Sequence, residues 1–170
     1  VGQQTTRGIG ANDYIQLMSH TCAANLAQFF GVRGRILSTC TACTSASQGI
    51  GYAFEAVRNG YQDVMIGGGA EELHVMEAAV FDILYNSSTR NDEPHLTPRP
   101  FDSTRDGLVV GEGAGTFIVE DLEHARARGA PIHGEILGFG TNCDGDHLTH
   151  PSPRGMEAVM RLALNDAPIE

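Results

Sequence analysis

The chain has 170 residues, of which 41% are hydrophobic, and this is enough to form a domain with its own core. Its formal net charge is −10 and its 11 basic residues are all scattered arginines, which excludes nucleic acid as the main partner. We find neither an apolar run of membrane-spanning length nor a signal-peptide pattern, and the four cysteines do not form a disulfide framework. A cytoplasmic protein that makes no membrane contact is therefore expected.

Apolar spacing predicts the secondary structure along the chain. Helices are predicted over residues 12–30, 45–59, 72–84, 122–128 and 156–164. The first is expected to start at Asn12 or Asp13 as N-cap and to end at Gly31. Extended segments are predicted at 35–40, 63–66, 116–119 and 135–141, with polar surface loops at 86–105 and 141–154.

The order strand, helix, strand over residues 35–66 predicts a crossover unit. Its second strand, 63–66, is a compact apolar run of the kind that is buried in parallel sheets. Its first strand leads into a sharp turn at Cys43, where the following helix begins. The unit therefore places a thiol at the bend between strand and helix.

The position of Cys43 favours nucleophilic chemistry. A helix N-terminus carries partial positive charge and unpaired N–H groups, which stabilise a thiolate over a thiol. The same N–H groups are suited to bind the oxyanion that forms when a thioester carbonyl is attacked. Judged on this local pattern alone, an inert buried cysteine remains the more common alternative.

A series of motifs in fixed order extends well beyond this turn. In chain order they are Gly31-Val32-Arg33-Gly34-Arg35 leading to Thr41-Ala42-Cys43-Thr44-Ser45, then 63–73, 88–92, Arg99-Pro100-Phe101-Asp102, 105–107, 111–115, 120–125 and 144–151. Together they resemble the β-ketoacyl-acyl-carrier-protein synthases, the condensing enzymes of fatty acid and polyketide synthesis in the thiolase superfamily. The resemblance runs from about residue 7 to residue 164.

The resemblance implies an α/β fold with α/β/α/β/α layers, of which residues 1–170 supply the later part of the first repeat and the start of the second. It implies that Cys43 is acylated from a carrier-protein thioester and that its own N–H is one oxyanion donor. Ala42 and Phe81 correspond to positions that shape the acyl pocket. Thr149 corresponds to a contact in a mobile loop, 144–151, at the mouth of the pantetheine tunnel.

The resemblance also implies the partners. An acyl carrier protein is expected to dock at Arg7, with Arg33 and Arg35 as weaker candidates, and a homodimer is expected. No metal and no cofactor of the protein's own are expected, because phosphopantetheine arrives on the carrier protein. The parent reaction would be decarboxylative Claisen condensation with a malonyl thioester.

One departure from the family concerns catalysis. The family uses two histidines in motifs of its C-terminal half, and none of the seven histidines of this chain fits them. We therefore interpret the sequence as a central fragment that carries the cysteine but lacks the histidine-bearing half. Alone, it is expected to be inactive in condensation.

Several alternatives remain open at this point. A thiolase-like acyltransferase would keep the cysteine but use coenzyme A thioesters, whereas a catalytically silent chain-length factor would usually lack it. Cys40 and Cys43 form a C-x-x-C pair that would suit a redox or metal-binding domain. Cys143, His147 and His150 are a second set of candidate metal ligands. The glycine-rich segment 111–115 resembles a nucleotide loop, but the strand predicted after it favours a tight turn.

Overall fold

The computed structural model describes residue 8 and residues 10–168. The helices in this part of the chain are α1 Ala11–Gln16, α2 Thr21–Phe30, α3 Ser45–Arg58, α4 Val75–Ile83, α5 Leu122–Ala127 and α6 Pro153–Asp166. Two strands, β1 Val64–Glu71 and β2 Gly113–Glu120, pair with each other as a two-stranded sheet. The described residues divide into two units, one formed by residues up to 68 with those from 116 onward, and one formed by 69–115.

The first helical region is two helices and not one, so the prediction of a single helix over 12–30 is wrong. The Thr21 hydroxyl donates to the Ile15 carbonyl at 2.6 Å, and this bond stabilises the break between α1 and α2. Asp13 is not the N-cap; its carboxylate accepts from the N–H of the capping residue Gly10 at 2.7 Å. Gly31 ends α2 in the left-handed conformation with φ of 63°, as predicted.

Helix α3 packs directly on the backbone of β1. A Cβ atom on Gly67 would lie 3.1 Å from the Ile50 Cα and 3.2 Å from the Gly49 carbonyl oxygen, so any larger residue would have to push the α3 backbone away by a few tenths of an ångström. Gly67 is buried, but Val64 and Ile66 are each 40% exposed because they alternate to the other face of the strand. The predicted strand is confirmed, whereas its predicted burial on both faces is wrong.

The sheet is antiparallel. The Asp121 N–H, just after β2, donates to the Asp63 carbonyl, just before β1, at 3.0 Å. Within the described residues, the segments 35–40 and 135–141 belong to no strand, so these two strand predictions and the crossover unit are wrong. Neither segment forms a ladder of backbone hydrogen bonds with a neighbour.

The segment 138–140 lies between α3 and α6. The Phe139 ring covers the helical Gly51, leaving no room there for a Cβ, and meets the Tyr52 ring edge to face with centroids 5.8 Å apart. On the other side, Gly138 and Gly140 lie against the backbone of α6. These glycines therefore bring α6 close to α3, which follows directly on the turn that contains Cys43.

The unit 69–115 contains α4 and a long irregular segment, together with the end of β1 and the start of β2. The predicted loop over 86–105 is confirmed; it contains a short 3-10 turn, Pro94–Leu96, and an isolated bridge from Ser87 to Leu108. A hydrogen-bonded network holds the loop, in which the Asp106 carboxylate accepts from the Ser88 hydroxyl and the Asp102 carboxylate from the Thr104 hydroxyl. These bonds lower the pKa of both aspartates.

The glycine-rich segment 111–115 runs directly into β2, which begins at Gly113. A phosphate-binding loop would have to be followed by a helix N-terminus, so the nucleotide-binding alternative is wrong. None of the helices in the described part of the chain combines the length and the apolar character that a membrane span requires.

Candidate active site

Cys43 lies in a strained turn that begins α3. A 3-10 turn over Ala42–Thr44 precedes the first residue of the helix, Ser45. Ala42 has φ of 50°, in the left-handed region that residues other than glycine seldom occupy. The turn presents an exposed Cys43 thiol beside the N-terminus of a 14-residue helix. This placement agrees with the predicted turn.

Hydrogen bonds hold both sides of Ala42. The Thr41 N–H donates to the Ser45 hydroxyl oxygen at 2.8 Å, and the Thr41 carbonyl accepts from the Thr44 hydroxyl at 2.8 Å. The Ser45 hydroxyl in turn donates to the Ala42 carbonyl at 2.7 Å. Among the described residues no acceptor engages the Cys43 N–H, which leaves this donor available to an oxyanion.

Gln48, one turn into α3, joins the Cys43 turn to a distant part of the chain. Its side-chain carbonyl accepts from the Thr41 hydroxyl at 2.6 Å. Its amide nitrogen donates to the Thr141 hydroxyl oxygen at 3.0 Å. Sequence reasoning missed Gln48, since helical spacing alone does not indicate a partner 93 positions away.

Residues 141–152 form an irregular segment, called here the 141–152 loop. The Asp144 carboxylate closes its base by accepting from the Ser152 N–H at 2.7 Å and the Asp146 N–H at 3.1 Å. These backbone bonds, the Ser152 bond foremost, lower the pKa of Asp144. The Ser152 hydroxyl accepts from the Gly155 N–H at 3.0 Å and so caps α6.

Thr149 is exposed within this loop, between two histidines. Its N–H donates to the His147 Nδ1 at 3.1 Å, and its hydroxyl lies 3.2 Å from the His150 Nδ1. The two Nδ1 atoms are 3.1 Å apart. Cys143 does not join them: no set of three or more His, Cys, Asp or Glu side chains in the described part of the chain is arranged to hold a metal ion. Hydrogen bonding with Thr149 therefore explains why His147 and His150 lie close together.

The remaining predicted site residues lie elsewhere. Phe81 is half-buried on α4, in the unit formed by 69–115. Arg7 lies outside the described residues, so its predicted docking role has no structural description. Cys40 and Cys43 are both free, exposed thiols, and no disulfide joins them.

Comparison with known proteins identifies the family. The family model described as Beta-ketoacyl synthase, N-terminal domain, matches residues 2–125. The chain therefore belongs to the β-ketoacyl synthase family, as its motifs predicted.

Individual relatives agree with this assignment. The 3-oxoacyl-(acyl-carrier-protein) synthase 2 of Vibrio cholerae is 44% identical over 148 residues, which cover 83% of this chain and 36% of the relative. A crystal structure of a Beta-ketoacyl synthase from Burkholderia phymatum matches with 55% identity and a TM-score of 0.93, covering 98% of this chain and 41% of that one. A type II polyketide ketosynthase, solved in complex with its acyl-carrier protein and bound to the hexaketide, matches with 29% identity and a TM-score of 0.86, covering 95% and 41%.

These matches confirm the predicted fold class, a mixed α/β thiolase-like fold. They also show that the chain spans about two fifths of the length of the proteins it matches.

Proposed function

We propose that this chain is the acyl-accepting part of a β-ketoacyl synthase, with Cys43 as the residue that takes the acyl group. One observation carries the proposal: within the family match, the exposed Cys43 thiol follows the left-handed Ala42 at the start of α3. Access, a helix N-terminus and a free N–H together favour a thiolate nucleophile and the binding of an oxyanion beside it.

The chemistry follows from these groups. The Cys43 thiolate attacks the carbonyl carbon of an acyl thioester, and a carbon–sulfur bond forms while the carbonyl oxygen becomes an oxyanion. The Cys43 N–H donates to this oxyanion, and the partial charge of the α3 N-terminus stabilises it. When the intermediate collapses, the phosphopantetheine thiolate leaves and takes up a proton. The acyl group remains on Cys43.

The second half-reaction is proposed for the intact protein. The acyl group would be transferred to the carbanion that forms when a malonyl thioester loses carbon dioxide, which lengthens the chain by two carbons. The resemblance assigns this decarboxylation to two histidine motifs that these 170 residues do not contain. The chain by itself is therefore expected to accept an acyl group but not to condense one.

The substrate and partners are proposed on the same basis. An acyl carrier protein is the proposed acyl donor, a role supported by the related ketosynthase solved with its carrier. Ala42, Phe81 and Thr149 are proposed to contact the acyl or pantetheine part of the substrate, and Arg7 to dock the carrier. A homodimer is proposed, and the protein needs no cofactor of its own, because the carrier brings the phosphopantetheine.

Acyl transfer to the intact protein tests the proposal. The protein is incubated with an acyl carrier thioester, digested, and analysed by mass spectrometry for the acylated peptide. We expect the acyl mass on Cys43, its loss in Cys43→Ser, and its retention in the matched controls Cys40→Ser and Cys143→Ser. An adduct on another cysteine, or one that persists in Cys43→Ser, would refute the assignment. Faster transfer from an acyl coenzyme A than from the carrier would instead favour a thiolase-like acyltransferase.

A further inference from the structure

Resting on the proposed function, we propose that Gln48 is a positioning residue that couples the Cys43 turn to the 141–152 loop. Its side-chain amide uses both of its ends. The carbonyl oxygen accepts from the Thr41 hydroxyl at 2.6 Å, and the nitrogen donates to the Thr141 hydroxyl oxygen at 3.0 Å. Gln48 is itself half-buried and lies in the first turn of α3, which begins at Ser45.

The first contact, from the Thr41 hydroxyl to Gln48, completes the set of hydrogen bonds that hold Thr41. The N–H and carbonyl of Thr41 are bonded to Ser45 and Thr44, and its hydroxyl is the third polar group, bonded to Gln48. Thr41 directly precedes the left-handed Ala42. Because a non-glycine residue is held in this conformation only where its surroundings determine it, the Thr41 bonds help to set where Cys43 points.

The second contact fixes the start of the 141–152 loop. After Thr141, the Asn142 amide donates to the Gly155 carbonyl at 2.9 Å, and Asp144 binds the Ser152 N–H at 2.7 Å. The base of the loop is thus attached to the start of α6, while Gln48 attaches it to α3. The Gln48 amide has a donor end and an acceptor end, and it uses one for each of the two contacts.

The coupling predicts that acyl transfer needs both links, whereas reaction with a small reagent needs only the first. Gln48→Leu breaks both links, Thr141→Val breaks only the link to the loop, and Thr141→Ser keeps the hydroxyl. A misplacement on the order of 1 Å costs up to about a hundredfold in rate, so we expect about a tenfold loss of acyl transfer in Gln48→Leu and Thr141→Val.

The experiment compares two reactions of Cys43 in the intact protein. Acyl transfer from an acyl carrier thioester is measured with its kcat and KM, and iodoacetamide alkylation of Cys43 is mapped by mass spectrometry. In Thr141→Val we expect slower acyl transfer with a raised KM but alkylation at the parent rate. In Gln48→Leu both reactions should slow, and Thr141→Ser should restore acyl transfer. A residue with only a structural role would not separate the two reactions in this way.

Two results would overturn the proposal, and the experiment distinguishes them. Parent-like acyl transfer in Gln48→Leu and Thr141→Val would refute the role of Gln48 while leaving Cys43 as the acylated residue. Absence of an acyl adduct on Cys43 in the parent protein would refute the proposed function, and with it the coupling. Circular dichroism of each variant checks that the fold is retained.

Discussion

The guanidinium of Arg58 on α3 donates to the Asp166 carboxylate at the end of α6, at 2.7 Å. The same carboxylate oxygen accepts from the Phe139 N–H at 3.0 Å. The Arg58 bond first, and the Phe139 bond second, lower the pKa of Asp166. A single carboxylate on α6 therefore holds both α3, the helix that follows the Cys43 turn, and the segment 138–140.

Removing Arg58 and removing Asp166 should both lower the stability of the protein, but by different amounts. Arg58→Ala loses a partly exposed ion pair, and we expect the Tm to fall by about 1–3 °C. Asp166→Ala should lower the Tm further, because the Phe139 N–H also loses its acceptor. Arg161→Ala, which breaks an exposed pair with Glu157 inside α6, is the matched control and should change little. Equal shifts in all three melting curves would contradict the prediction.

A second prediction concerns pH and the Glu120 carboxylate. Glu120 ends β2 and accepts from the Arg128 guanidinium at 2.7 and 2.6 Å and from the His124 ring at 2.6 Å. The Arg128 bonds, followed by the His124 bond, lower the pKa of Glu120 from 4.5 to about 2. A carboxylate whose pKa is depressed on folding stabilises the protein fully above its unfolded pKa, and this contribution is lost as the pH falls through the folded value.

The measurement is the Tm of the parent and of Glu120→Gln across this range. The parent should exceed the variant most above pH 4.5, and the difference should shrink as the pH approaches about 2. Glu123→Gln removes the same charge from an exposed position on α5 and serves as control. A difference that stays constant with pH, or one equally steep in the control, would exclude Glu120 as the cause.

The sequence indicated the local features of the site well. The Cys43 turn, the helix that follows it and the Gly31 cap each depend on residues close together in the chain, where helical spacing and glycine preference act directly. The motif order identified the family, which the family model confirms.

Long-range relationships were the ones missed. Residues 35–40 and 135–141 have strand-like patterns, but a strand also needs a partner, which a local pattern does not supply. The sequence does not indicate the interruption between α1 and α2, before Thr21, because the helical spacing of apolar residues continues across it. The Gln48 contact with Thr141 spans 93 positions, and nothing in helical spacing marks it.

A third prediction concerns the close packing of Gly51 against Phe139. Alanine normally favours a helix over glycine, but a Cβ at this buried position would overlap the Phe139 ring. We expect Gly51→Ala to destabilise the protein by about 1–3 kcal/mol, measured by urea unfolding. Phe139→Leu in the same chain should recover part of this loss. Gly134→Ala, where the Cβ meets open space, should change stability little; a similar loss there would argue against overpacking.

The last prediction concerns Ala42, the strained residue directly before Cys43. Ala42 has φ of 50°, a conformation that costs an L-residue about 1–2 kcal/mol and costs glycine almost nothing. Ala42→Gly should therefore keep the fold with unfolding free energy within about 1 kcal/mol of the parent, since the strain relieved is offset by the greater chain entropy of unfolded glycine. Ala42→Val should lose about 1–3 kcal/mol, because a β-branched residue is a severe outlier at positive φ.

The same turn orients the Cys43 side chain, so Ala42→Val should also slow acyl transfer to Cys43 in the intact protein, measured by mass spectrometry. Stability and transfer equal to the parent in Ala42→Val would show that the left-handed turn imposes no such constraint.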